Sequence, residues 1–101
     1  MGRRVEASVS AIQSAIRGEM GSRLGATGEE LEKRLAALES LRKAWEAARD
    51  DERPALRARH EEVRAHAERL QWNLVVQREA MGLERHHDVF AFYPLPPRLG
   101  A

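Results

Sequence analysis

The 101-residue chain contains no cysteine. That excludes a disulfide framework, a thiolate-ligated zinc site and thiol catalysis. Aromatic residues are scarce: two Trp, two Phe and one Tyr. No run of about 18 apolar residues occurs, so no membrane-spanning helix is expected. Neither sign of charge dominates, with 17 basic against 16 acidic residues and a formal charge of +1. A balance of that kind does not mark a dedicated nucleic-acid binder. Met1-Gly2-Arg3-Arg4 is not followed by an apolar stretch, so no secretory signal is expected. Glu6 stands where a myristoylation pattern requires Ser or Thr. The expected compartment is therefore the cytoplasm. Lysine is nearly missing, two against 15 arginines; with the high alanine content this fits a GC-rich bacterial coding sequence and carries no chemistry.

What is abundant is helix-forming. Ala, Glu, Lys, Leu and Arg make up 57 of the 101 residues, above the roughly 50% typical of long helices and coiled coils. Leu, Ile, Val and Phe number only 21, a thin filling for a two-layer domain. Long helices sharing a narrow apolar seam need less. The expected fold is all-α: a long antiparallel, coiled-coil-like hairpin with an N-terminal helix packed on it. Such a chain makes a three-helix bundle or a helical oligomer.

In one domain spanning 1–101, three helices are expected. Over 3–24, Val5, Val9, Ile12, Ile16, Met20 and Leu24 recur at spacings of three and four, and Gly25-Ala26 ends the pattern. Thr27 and Glu30 form a capping-box pair for a second helix over about 28–50, with Leu31, Leu35, Leu38, Leu41 and Trp45 on one face. Asp50–Pro54 breaks it, since proline lacks an N–H and disfavours helix at Arg53. The same acids are expected to cap the third helix, about 54–84. An aromatic and proline-rich tail, 86–101, ends in an extended Pro94–Arg98 segment.

A heptad register folds the second and third helices back on each other. It sets Trp45 against His60, Arg42 against Val63, Leu38 against Ala67, Leu35 against Leu70 and Leu31 against Leu74. The flanking positions are Glu32, Glu39 and Glu46 on one helix and Arg57, Arg64, Gln71, Arg78 and Arg85 on the other. An acidic stripe should therefore meet a basic one, with Glu46 near Arg57 and Glu39 near Arg64.

Trp72, Val75, Val76 and Leu83 lie off this seam. A helix apolar on a second side needs a second cover. The candidates are the first helix, the Phe90–Leu95 tail, or another copy of the chain. Three of the five aromatics, Phe90, Phe92 and Tyr93, precede the prolines, and a tail so rich in them should dock on the Trp72/Val76 face of its own chain or a neighbour.

Polar constellations are weak. His60 and His66 are six apart, about 240° round a helix, whereas zinc-binding helices use histidines four apart. His86-His87-Asp88 has metal-site residue types, but the remaining His60, His66, Asp50 and Asp51 belong to the hairpin's far end. It reads as a helix C-terminus with imidazoles favoured by the dipole. No serine has a paired base at a telling spacing. No cofactor, metal or catalytic residue is expected.

The expected function is a non-enzymatic helical interaction or scaffolding module. It would self-associate or dock on a larger protein through Trp72, Val75, Val76, Leu83, Phe90, Phe92 and Tyr93. One alternative is a nucleic-acid-associated protein using Arg57, Arg64, Arg78 and Arg85. Another is an export or assembly chaperone.

Overall fold

The computed structural model describes residues 23–83 and 86–100. The expected helix over 3–24 lies outside the described residues, apart from its last two, and so does Arg85. Among the described residues there are three helices and no strand. They are α1 (Arg23–Ala47), α2 (Arg53–Ala80) and the short α3 (His87–Phe92). The five residues between α1 and α2 reverse the chain, and the two long helices pack together. None of the helices is long and apolar enough to cross a membrane.

α1 starts earlier than Thr27. Residues 25–28 belong to the helix instead of ending one, and Thr27 is inside it rather than at its cap. A glycine costs a helix only about 1 kcal/mol relative to alanine, which is too little to stop one here. Glu30 does not reach back as a capping box requires. It is held by Arg34 one turn on, with Nε donating to Oε1 at 2.9 Å, and that bond keeps the Glu30 carboxyl below its usual range.

The acids of the turn also act differently from the expectation. Glu52 occupies the N-cap position of α2, yet its side chain caps no amide of that helix. Its backbone is itself helical, φ −86 and ψ −22, whereas a capping side chain works from an extended backbone. Its carboxylate instead accepts from the Arg49 backbone N–H at 2.9 Å, closing the turn. Pro54 sits in the first turn of α2, where its missing N–H has no intrahelical partner to lose.

α2 ends at Ala80, short of Leu83. The Leu83 N–H donates to the Arg78 carbonyl at 3.0 Å and the Gly82 N–H to that of Glu79 at 2.9 Å. Gly82 has φ +82. This is the Schellman arrangement, which uses a glycine at the left-handed position.

His60, Val63, Ala67, Leu70 and Leu74 of α2 are buried at spacings of three and four, together with Leu31 and Leu38 of α1. Leu35 and Leu41 pack against the same cluster. A second row on α2 is buried as well: Gln71, Val75 and Arg78. Val89 and Tyr93, both buried, extend the core there.

His60 is 1% exposed, and its Nδ1 finds no hydrogen-bond partner among the described residues. Burial disfavours the imidazolium and holds its pKa below 6.5; Glu61 opposes that shift and Arg64 adds to it. Below pH 6.5 the unfolded chain takes up a proton at this position before the folded chain does, so folding stability falls as pH falls through that range. The thermal midpoint should therefore drop between about pH 7.5 and 5.5, and less so in His60→Leu. Equal drops in the two proteins would assign the sensitivity to other groups.

Candidate functional site

The residues expected to form one apolar face divide into two sets. Trp72 and Val76, one turn apart on α2, remain 55% and 62% exposed. Val75 and Tyr93 are buried in the core, and Phe90 and Phe92 pack partly against it. Leu83 is not on the stripe, because it follows Gly82 outside the helix. Met81, at the α2 C-cap, is 53% exposed. The Phe90 ring meets Trp72 edge-on at 5.4 Å between centroids. On the other side of Trp72, a groove of about 340 Å³ is lined by His66, Arg69, Leu70 and Asn73.

The basic stripe has an unexpected use. Glu39 and Glu46 do not pair across to Arg64 and Arg57. Both are taken by Arg42 of their own helix, with Nε to Glu39 at 2.9 Å and Nη1 to Glu46 at 2.5 Å. The Arg42 bond lowers the Glu39 pKa, and the two acids raise that of Arg42. Residues three and four apart on a helix meet without any long-range ordering, so the local pairs win.

Arg57, Arg64 and Gln71 lie against the tail instead. Gln71 Nε2 donates to the Tyr93 carbonyl at 2.6 Å. Arg64 Nε donates to the Pro96 carbonyl at 2.8 Å. Arg98 Nε donates to Glu61 at 3.1 Å. Gly100, φ +77, lies so close to α2 that an added Cβ would stand 2.8 Å from Arg57 Nη2 and 3.5 Å from Trp45 Cζ2. The Trp45 ring also carries Arg53 and Arg57, whose Cζ atoms lie 4.9 and 4.8 Å from its centroid. Arg78 is 5% exposed in the same row.

The tail runs antiparallel to α2. Between its contacts at 93 and 100 it passes α2 from 71 to 57, seven tail residues against 14 helical ones. That two-to-one ratio matches an extended rise of about 3.1 Å against a helical rise of about 1.5 Å. Residues 94–98 carry neither helix nor strand. The six-residue α3 is a helix where the expected tail had none.

The polar pairs near α3 remain separate. His86 Nε2 lies 3.8 Å from Glu79, and His87 Nε2 lies 3.0 Å from Asp88. Among the described residues, no three His, Asp or Glu side chains converge as a metal site.

Sequence reasoning overlooked Gln71 as a donor to the tail, Trp45 as its terminal contact, and Met81. The seven-residue spacing of Arg57, Arg64, Gln71 and Arg78 was the available signal, but it was assigned to the wrong partner. No family model, curated protein or solved structure matches the chain.

Arg57→Glu with Arg64→Glu should loosen the tail, seen as faster amide exchange over residues 95–100. Adding Glu39→Arg and Glu46→Arg should lower stability further, because Arg42 then loses both acids. Recovery in the quadruple variant would instead demonstrate pairing between the helices. Gln71→Ala should cost about 1 kcal/mol in a chemical-denaturation measurement, from loss of the bond to the buried Tyr93 carbonyl.

Proposed function

We propose that this chain is a small, non-enzymatic, cytoplasmic interaction module that self-associates through the α2 surface centred on Trp72 and Val76. The carrying observation is their exposure, 55% and 62%, although the core is thin and the tail passes nearby. Soluble monomers seldom leave a tryptophan and adjoining aliphatics in water, and such patches mark association sites. The hairpin is the rigid support, with a seam of coiled-coil spacing behind the patch. Docking of the same patch on a larger protein, including in a chaperone role, uses the same chemistry.

The nucleic-acid reading is less well supported. Arg64 is bonded to the tail and Arg57 stacks on Trp45 beside Gly100. Arg78 is buried. These are the arginines that a phosphate backbone would need within reach.

Trp72→Ala with Val76→Ala should lower the mass measured by light scattering, or abolish capture of the larger protein, while far-UV circular dichroism shows helicity retained. Unchanged mass together with unchanged capture would reject this surface as the interface.

A further inference from the structure

The tail is held in a way that does not require it to belong to the same molecule. Side chains of α2 reach its main-chain carbonyls, Gln71 to Tyr93 and Arg64 to Pro96, and one ion pair joins Glu61 to Arg98. Pro94, Pro96 and Pro97 remove three amide N–H groups from this segment. It therefore presents acceptors with few donors, and a row of Arg and Gln side chains complements it. The row repeats every seven residues, about 10.5 Å along a helix. Three or four extended residues cover about the same distance.

We infer that this row is a docking groove for a proline-rich extended segment, and that two copies of the chain associate by exchanging their tails reciprocally. Each tail then lies in the groove of the other copy. The chain leaves α2 through one glycine, Gly82, whose surroundings are open: an added Cβ would meet nothing within 4 Å. A change of direction there carries α3 and the tail together, so Val89 and Tyr93 leave the core of their own copy and enter that of the other. In a reciprocal exchange the departure points of the two tails lie near the two-fold axis. The surface beside Gly82 is therefore the surface newly covered. Of the large exposed hydrophobics, Met81 adjoins Gly82, and Trp72 and Val76 lie in the last third of α2. A tail held in its own groove leaves them in water; an exchanged pair of tails brings two such patches together.

The inference rests on the proposed self-association through Trp72 and Val76, but the two fail differently in one experiment. The chain has no native cysteine, so introduced thiols report cleanly. Glu61→Cys and Arg98→Cys are made in separate chains, which are mixed in denaturant, refolded together and treated with a bismaleimide spanning about 10 Å. A Lys43→Cys chain mixed with Arg98→Cys gives the background, and a chain carrying both Glu61→Cys and Arg98→Cys reports the cis contact. Exchange predicts mixed cross-linked dimers several-fold above background, rising with protein concentration and reduced by Trp72→Ala with Val76→Ala. A dimeric mass with cross-linking only inside the doubly substituted chain overturns exchange and leaves the apolar interface standing. A monomeric mass with only internal cross-links overturns both. Mixed cross-links insensitive to Trp72 and Val76 would keep exchange and reject that surface.

Discussion

The structure depends on covering the second buried row of α2. One helix can turn only one face to an antiparallel neighbour, and α1 takes the face of Val63, Ala67, Leu70 and Leu74. Gln71, Val75 and Arg78 form a further buried row, including two polar side chains. Val75 shares its core cluster with Val89 and Tyr93 of the later segment. The chain therefore has to return along α2 after leaving it. The Schellman turn at Gly82 starts the return, α3 brings Val89 to the core, and the extended tail continues toward the hairpin turn. An extended cover suits the task because few residues reach far: seven span the same length as 14 of the helix.

The tail's course also explains why the charges do not bridge the helices. A surface ion pair is worth at most about 1 kcal/mol, so its choice of partner is settled by small differences. Arg42 has acids three residues before it and four after it on its own helix. Ordering that arginine satisfies both at once. The α2 donors find carbonyl oxygens in a segment whose prolines leave few amides to compete. Acids and donors each thus find a better partner than the facing stripe.

The long helices and their seam were legible in the sequence because burial follows periodicity. Leu31, Leu38, Val63, Ala67, Leu70 and Leu74 could be assigned from spacing alone. Helix ends were less legible. Gly25 looked like a terminator and lies within α1, whereas Gly82 is the residue that ends α2. The difference is tertiary: nothing local tells a tolerated helical glycine from one recruited to φ +82. The candidate site was legible in its residue types and not in its division. Trp72 and Val75 are three residues apart, yet Val75 is buried and Trp72, beside the Phe90 ring, remains exposed. A period-based reading groups such neighbours because it cannot know where a later segment will lie.

The far end of the tail shows that the groove selects by exclusion as well as by bonding. Trp45 is half-buried beneath Arg53 and Arg57 rather than set into the seam as a core residue. An indole face attracts guanidinium groups, and the resulting stack stands against the end of the tail. Backbone can approach it, whereas a side chain at position 100 would contact Arg57 Nη2 within 2.8 Å. The same residue has φ +77, a conformation that only glycine enters without strain. The left-handed conformation and the nearby Arg57 tip both favour glycine at 100. They also set the longitudinal position of the tail: with Gly100 at the Trp45 stack, Pro96 falls at Arg64 and Tyr93 at Gln71. A one-residue slip would put Leu99 against the guanidinium and move both carbonyls off their donors.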